Sequence, residues 1–231
     1  MNEVIGLIGA MDEEIKLLLD SMDDKVSTLK AGIVYYTGTI SGKQIVLCKS
    51  GVGKVNAAVT TQILIDTFGV ARVLFTGVAG AVHPDLGIGD IVISTDCIQH
   101  DMDVTALGYP RGVIPYQAVS SFPADPALVQ LAEEACMSLK QKWITGIVLS
   151  GDQFIASAAV VAGLREHFNG ACAEMEGAAV AQVCFMNDIP FVIIRSMSDK
   201  ADGSAHANYH EFTVTAAECS HAILEYMLKA M

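Results

Sequence analysis

Two glutamates separated by one methionine are the residues of this sequence that point most clearly to chemistry. Glu174 and Glu176 follow a stretch of small residues and precede an apolar segment, Ala178 to Phe185, that is typical of a buried helix. Carboxylates are rarely buried without a partner, so their position needs a physical reason. Two interpretations stay open from this segment alone. The acids complement the positive end of the helix, or one of them binds hydroxyl groups of a ligand.

Further acids follow predicted strands elsewhere in the chain. Glu13 and Glu14 come after the first apolar run, and Asp199 comes after a later one. In sheets covered by helices, ligands bind beyond the carboxyl ends of the strands. Carboxylates without a metal or a nucleophile suit glycosyl-bond cleavage, in which one acid protonates the leaving group and another activates water. The sequence therefore predicts an acid-based site from Glu13 or Glu14, Glu174 or Glu176, and Asp199.

The glycine motifs do not indicate a nucleotide-phosphate site. Gly51-Val-Gly53-Lys54 resembles a phosphate loop, but Val55 follows the lysine where that motif requires Ser or Thr. Gly77–Gly80 and Gly87–Gly89 lack the dinucleotide pattern, and we predict tight turns there. The sequence has no HExxH motif and no CxxC pair. We therefore predict neither a cofactor nor a metal.

Composition excludes several classes of partner. The chain has 231 residues, 52% of them apolar, and a formal net charge of −12. Nucleic acids and anionic membranes are polyanions that require a basic surface, so neither is an expected partner. No uncharged apolar run reaches the roughly 18 residues of a membrane span. Scattered free cysteines and a start without a basic signal-peptide region predict a cytoplasmic protein.

Apolar runs alternate with helical patterns along the whole chain, which predicts an α/β fold. We expect one domain, residues 1–231, with a central mixed sheet flanked by helices in three layers. Residues 100–126 are predicted to be a loop. The predicted strands are Val4–Gly9, Val34–Ile40, Gln44–Lys49, Arg72–Thr76, Asp90–Ser94, Ile144–Leu149 and Phe191–Arg195. The predicted helices begin near Asp12, Lys54, Ala127, Ala158, Gly177 and Tyr209.

Eight segments, taken together and in order, resemble one known family. They are Ile8–Glu14, Ser50–Asn56, Thr76–Gly80, Gly87–Val92, His100–Thr105, Ser150–Ile155, Glu174–Ala179 and Arg195–Asp199. The sequence is similar to the 5′-methylthioadenosine/S-adenosylhomocysteine nucleosidases of the purine nucleoside phosphorylase superfamily. The resemblance implies hydrolysis of these nucleosides to adenine and a thioribose product, within methionine salvage and without a cofactor.

The resemblance also implies a role for individual residues. Glu14 aligns with the general base that activates water, Glu176 with the ligand of the ribose hydroxyls, and Asp199 with the acid that protonates adenine N7. Further substrate-binding positions are implied by the same alignment. They are Met11, Val78, Phe154, Ile155, Met175, Arg195, Ser198 and Tyr209, together with Leu107 and Pro115 from a neighbouring subunit.

Two of these positions carry specific expectations. Arg195 is expected to help orient Glu14. Val78 departs from the family, which often has serine there near the attacking water, so water positioning is expected to depend more on Glu14 and Arg195. The resemblance further implies a homodimer in which the 100–116 loop of one subunit completes the other subunit's site.

Other functions remain open at this point. A phosphorylase of the same superfamily needs cations for phosphate, whereas Gly9–Glu14 carries three acids and no base, and Gly77–Gly89 carries no Lys or Arg. We therefore favour water as the nucleophile. A futalosine-type hydrolase differs mainly in its 5′ pocket, which the sequence discriminates poorly. A non-catalytic adenosine-binding module is disfavoured because both Glu14 and Glu176 are present.

Overall fold

Ten β-strands and six α-helices make up the part of the chain that the computed structural model describes, residues 3–199 and 209–231. Side chains of the second segment are described from residue 215. The strands are β1 (Val4–Gly9), β2 (Asp23–Lys30), β3 (Ile33–Ile40), β4 (Lys43–Lys49), β5 (Arg72–Ala81), β6 (Ile91–Gln99), β7 (Ser121–Pro123), β8 (Trp143–Ser150), β9 (Gly170–Glu174) and β10 (Phe191–Asp199). The helices are α1 (Asp12–Asp20), α2 (Lys54–Phe68), α3 (Pro126–Ser138), α4 (Ala158–Phe168), α5 (Gly177–Met186) and α6 (Tyr209–Ala230).

The strands form one mixed sheet that is closed on itself at one end. Its order is β10-β6-β8-β9-β5-β1-β4-β3-β2, and β10 also pairs with β5. Strands β5, β10, β6, β8 and β9 thus form a closed circuit, while β1 to β4 extend it as an open wing. Strands β1, β5 and β10 run parallel to one another, whereas β6 runs antiparallel to β10. Because β1, β5 and β10 end at the same edge, the residues that follow them lie close together.

Helices cover the sheet on both faces and create two apolar cores. Helices α2 and α5 cover one core, whose buried residues include Leu64, Val180 and Phe75. Helices α1, α3 and α6 cover the other, whose buried residues include Leu18, Leu224 and Leu7. This arrangement confirms the predicted three-layer α/β fold with a mixed sheet. None of the helices in the described part of the chain has the length and apolar character of a membrane span.

The predicted strands were correct in position but too short at the edge that carries the acids. Strand β5 continues through Gly77–Gly80, so the tight turn predicted there is wrong. Strand β10 continues to Asp199 and is buried throughout, so this acid ends the strand instead of following it. Glycine and polar residues were taken as breaks, but strands buried on both faces tolerate them when neighbouring strands satisfy their backbone groups.

Three strands were missed for physical reasons. Strand β2 is polar and mostly exposed, and it lies at the sheet edge with β3 as its neighbour, so it carries no apolar alternation. Strand β9 has small side chains in a buried five-residue stretch. Strand β7, which lies within the predicted 100–126 loop, has three residues and pairs with β6. In the same loop, Thr105–Leu107 forms a short 3-10 helix.

Candidate active site

A cleft lies where strands β1, β5, β8, β9 and β10 end, and it collects most of the residues expected at the site. Its empty volume is about 560 Å³, part of which is open to solvent. Glu14, Glu176 and Asp199, the predicted catalytic residues, all line it. It is also lined by six of the predicted substrate-binding residues, which are Met11, Val78, Phe154, Ile155, Met175 and Ser198.

Glu14, in the first turn of α1, is held by backbone N–H groups at the ends of two strands. Its Oε2 accepts hydrogen bonds from the N–H groups of Ala10 at 2.6 Å and Met11 at 2.9 Å, and its Oε1 accepts one from Val78 at 2.9 Å. Burial raises the pKa of Glu14, while the charge of Arg195 and these N–H groups oppose the rise. A fixed carboxylate with a raised pKa suits a general base.

Gly77 provides the space in which Glu14 and Arg195 approach β5. A Cβ atom at this position would lie 2.5 Å from Glu14 Oε1 and 2.9 Å from Arg195 Nη1. Side-chain atoms do not approach a real Cβ that closely, so any larger residue here would displace one of the two charged groups. The glycine predicted as a turn residue therefore serves close packing against the site.

Glu174 and Glu176 have different partners, which separates the two interpretations left open by the sequence. Glu174 Oε2 accepts a hydrogen bond from Arg195 Nη2 at 2.6 Å, and the Ser150 hydroxyl donates to Oε1. The N–H group of Gly177, the first residue of α5, lies 2.9 and 2.8 Å from the two carboxylate oxygens. A buried carboxylate paired with an arginine and a helix start is structural, as the first interpretation stated.

Glu176 lines the cleft with fewer partners and is 6% exposed. Its Oε1 accepts a hydrogen bond from the N–H group of Gly53 at 2.7 Å. Burial, followed by the negative charge of Glu174, raises the pKa of Glu176 to about 8, against the effect of the Gly53 N–H and of Arg195. The second interpretation, a carboxylate that binds ligand hydroxyls, therefore fits Glu176.

Arg195 lies beneath the cleft and not on its wall, in contrast to its expected place among the substrate-binding residues. It is 1% exposed, and its guanidinium lies 3.9 Å from the centre of the Phe75 ring. Its guanidinium donates a hydrogen bond to the carboxylate of Glu174, and its effect on Glu14 is electrostatic. The arginine offsets part of the negative charge that Glu14, Glu174 and Glu176 bring into the buried site.

Asp199 ends β10, lines the cleft and is 4% exposed. The Ser198 hydroxyl donates to Asp199 Oδ1 at 2.9 Å, which fixes the orientation of the carboxyl group. Phe154 is more than half exposed at the rim, where a ring can stack on a planar ligand. The lining of the cleft therefore includes both a buried acid and an exposed aromatic ring.

Three expected residues lie elsewhere or outside the description. Leu107 and Pro115 are not part of the cleft of their own chain, and Leu107 is 74% exposed in the 100–116 loop. Their expected role in a neighbouring subunit's site stays a prediction. Tyr209 begins α6, but its side chain lies outside the described residues.

Two contributors were not predicted from the sequence. Ser150 is fully buried, donates to Glu174 and accepts a hydrogen bond from the Ala178 N–H at 2.6 Å. Gly53 supplies its N–H to Glu176 from 123 positions away in the chain. The position of Ser150 directly after a predicted buried strand could have indicated its role. The backbone contact of Gly53 with the distant Glu176 leaves no signal in the sequence. No cluster of His, Cys, Asp or Glu suited to a metal is found among the described residues.

Comparison with known proteins agrees with this fold and site. Residues 4–229 match the model of the phosphorylase superfamily. A 5′-methylthioadenosine/S-adenosylhomocysteine nucleosidase from Halalkalibacterium halodurans is 44% identical over 214 residues, 92% of each chain. The Neisseria meningitidis nucleosidase of the same name, solved with methylthio-immucillin-A, has a TM-score of 0.95 and 39% identity, covering 99% of this chain and 100% of the other. A futalosine hydrolase mutant from Helicobacter pylori has a TM-score of 0.95 and 35% identity, with coverage of 99% and 100%.

The superfamily match and the acid-lined cleft at the strand ends define a nucleoside-processing enzyme of the phosphorylase fold. At this identity and coverage, the chain belongs to the family of 5′-methylthioadenosine/S-adenosylhomocysteine nucleosidases within that superfamily. The resemblance drawn from the eight sequence segments is thereby confirmed.

Proposed function

We propose that the protein hydrolyses the N-glycosidic bond of 5′-methylthioadenosine and S-adenosylhomocysteine, releasing adenine with 5-methylthioribose or S-ribosylhomocysteine. The observation that carries this choice is the charge of the cleft. Its described wall contains Glu14, Glu174, Glu176 and Asp199 but no Lys or Arg. A phosphate dianion would meet repulsion there, whereas a neutral water molecule would not. Hydrolysis is therefore favoured over phosphorolysis.

In the proposed reaction, the bond between adenine N9 and ribose C1′ breaks while water adds to C1′. Asp199 donates a proton to adenine N7, so that the base leaves as a neutral molecule. Glu14 accepts a proton from the attacking water, whose oxygen forms the new bond to C1′. The hydrogen bond from Ser198 orients Asp199, and the N–H groups of Ala10, Met11 and Val78 orient Glu14.

The ribose is assigned to Glu176, with Met175 packing beside the sugar. A carboxylate accepts hydrogen bonds from both ribose hydroxyls, and its charge stabilises the oxocarbenium-like transition state as positive charge develops. Phe154 and the backbone of Ile155 would flank adenine. Val78 offers no hydroxyl to the attacking water, so Glu14, under the influence of the Arg195 charge, would orient it.

A futalosine-type hydrolase is the second candidate, because a futalosine hydrolase from Helicobacter pylori has the same fold at 35% identity. Both reactions break an N-glycosidic bond and need the same three carboxyl groups. Their substrates differ in the group attached to ribose C5′ and in the purine base. A non-catalytic adenosine-binding module would not need Glu14 and Glu176 together in one cleft.

We also propose a cytoplasmic homodimer in which residues 1–231 form one nucleosidase domain. Val52 lines the cleft yet is 51% exposed, and Leu107 and Tyr116 expose apolar surface on the 100–116 segment. A neighbouring subunit's Leu107 and Pro115 could cover the 5′ end of such a cleft, since exposed apolar patches mark interaction sites. Light scattering that finds a fully active monomer would contradict this arrangement.

The activity is tested by incubating the purified protein with methylthioadenosine in phosphate-free buffer and measuring the released purine base by chromatography. S-adenosylhomocysteine, 5′-deoxyadenosine and futalosine are compared in parallel, with and without phosphate. We expect adenine from methylthioadenosine at a rate that phosphate leaves unchanged. Release only after phosphate addition would indicate a phosphorylase, and a clear preference for futalosine would favour the second candidate.

A further inference from the structure

The loop before α2 contacts Glu176, the carboxylate assigned to the ribose. Gly53, which precedes α2, donates its backbone N–H to Glu176 Oε1 at 2.7 Å. Its φ angle of 99° is strained for residues with a side chain, so this loop geometry requires glycine. An N–H group aimed at a buried carboxylate stabilises the charged form of that carboxylate. The position of this loop therefore affects the group assigned to the sugar.

A set of charged side chains fixes that loop. The N–H group of Lys54, the residue after Gly53, donates to Asp152 Oδ1 at 2.8 Å. The N–H group of Asp152 donates in turn to Asp101 Oδ2 at 3.0 Å. The other oxygen of Asp101 accepts a hydrogen bond from Lys54 Nζ at 2.6 Å. Asp101 thus contacts both Lys54, the residue after Gly53, and Asp152, whose side chain accepts the hydrogen bond from the Lys54 N–H. We call Gly53, Lys54, Asp101 and Asp152 the Asp101 clamp.

The Asp101 clamp is partly buried and anchored to the core. The side chains of Lys54 and Asp101 are 18% and 15% exposed, so their ion pair is screened less than a surface pair. Lys54 Nζ also donates to Gln99 Oε1 at 3.1 Å, and Gln99 Nε2 donates to Gln182 Oε1 on α5 at 2.6 Å. Helix α5 begins beside Glu176, so the clamp and the carboxylate share one rigid support.

We propose that Asp101 is a positioning residue for the ribose carboxylate, and that through Lys54 and Asp152 it holds the Gly53 N–H against Glu176. The proposal rests on the proposed role of Glu176 in binding the ribose. It predicts that a residue outside the cleft controls how readily the sugar-binding carboxylate carries its charge.

The charges around Glu176 make this control measurable as a pH dependence. Glu174 from β9 and Glu14 from α1 disfavour its ionised form, and Arg195 from β10 favours it, while Asp199 lines the same cleft. The Gly53 N–H adds to the favourable side, so loss of the clamp moves the pKa of Glu176 further upward. The ionised carboxylate is then present only at higher pH.

The test compares Asp101→Ala with Asp90→Ala. Asp90 is a matched control, because its side chain is 13% exposed and it accepts hydrogen bonds from one lysine, Lys142, and one backbone N–H, that of Gly87. Both variants lose an ion pair with a lysine, that of Asp90 being the more exposed, but only the Asp101 side chain is hydrogen-bonded to the clamp that holds Gly53. We expect similar thermal melting for the two, which removes general destabilisation as an explanation.

The measurement is kcat/KM for methylthioadenosine across pH. For Asp101→Ala we expect the acidic limb to move upward by about one pH unit, which corresponds to about a tenfold loss on that limb and recovery at higher pH. Asp90→Ala keeps the wild-type limb. Asp101→Asn, which retains an acceptor for the Asp152 N–H, recovers part of the shift. Asp152→Ala, a change at an exposed residue, reproduces it if Asp101→Ala does not fold.

Two results overturn the proposal. The first is an Asp101→Ala loss that is equal at every pH, and the second is an unchanged limb in both clamp variants. Both results require an active wild-type enzyme. A wild-type protein that releases no adenine refutes the proposed function instead, so the two failures are distinguishable.

Discussion

Replacement of Glu176 by glutamine should abolish most of the activity and at the same time stabilise the fold. Burial and the nearby charge of Glu174 raise the pKa of Glu176 from 4.5 to about 8, so the native protein holds an acid in an unfavourable place for its charge. Glutamine has nearly the same shape and can still accept the Gly53 N–H bond. It carries no charge, however, and cannot stabilise the transition state in the same way.

The size of the effect follows from linkage between folding and proton binding. Between pH 4.5 and about 8 the native state keeps a proton on Glu176 that the unfolded chain has lost, so stability falls as the pH rises. At about 1.4 kcal/mol for each pH unit, the full cost above pH 8 is about 5 kcal/mol. Burial of the amide costs about 1–3 kcal/mol. We therefore expect Glu176→Gln to gain about 2–4 kcal/mol at pH 8.5 and to lose about 1–3 kcal/mol near pH 4.5, where only the cost of burying the amide remains.

The assay combines calorimetry at these two pH values with adenine release. The gain at pH 8.5 corresponds to a melting temperature higher by about 4–16 °C for a chain of this length. Turnover should fall on the order of 100-fold or more. Glu13→Gln, an exposed neighbour of Glu14, is the control and should change neither quantity appreciably. A Glu176→Gln melting temperature that is unchanged or lower at pH 8.5 would refute the reasoning about its buried charge.

Three further substitutions test the remaining parts of the site. Glu14→Gln should lower kcat by about 10²–10⁴-fold, whereas Asp12→Asn, an exposed acid on the same helix turn, retains activity; equal losses would remove Glu14 as the base. Gly77→Ala places a methyl group 2.5 Å from Glu14 Oε1 and should lower kcat at least tenfold in steady-state kinetics. Gly163→Ala is the control, because it adds a methyl group in open space on α4 and should leave kcat unchanged. Arg195→Met removes the buried countercharge and should cost about 3–5 kcal/mol in denaturant unfolding, whereas Asp12→Asn breaks an exposed ion pair and costs less than about 1 kcal/mol; similar costs would argue against a buried role for the arginine.

Much of the fold could be predicted because apolar periodicity marks buried segments directly. Helix α2 was placed at Lys54–Phe68, and the β3–β4 hairpin around Ser41 and Gly42, both of which adopt the positive φ angles of a tight turn. Strand β2 left no such signal, because its stability comes from backbone pairing and not from buried side chains. Periodicity thus reveals elements that bury a face and misses those that do not.

The site was predictable to the level of residue type but not of partner. The acids Glu14, Glu176 and Asp199 could be selected from their places near strand ends and from the family resemblance. The pairing of Arg195 with Glu174, rather than with Glu14, depends on side-chain directions across neighbouring strands, which the sequence does not encode locally. The Asp101 clamp could not be predicted from the sequence either, because its contacts join positions far apart in the chain.

The central claim is that water, and not phosphate, attacks the sugar. It is tested most directly by a reaction with methylthioadenosine in ¹⁸O-labelled water that contains phosphate, followed by mass spectrometry of the sugar product. Our account predicts methylthioribose that carries the heavy oxygen at C1′ and no phosphorylated sugar. A methylthioribose phosphate without the label would contradict it.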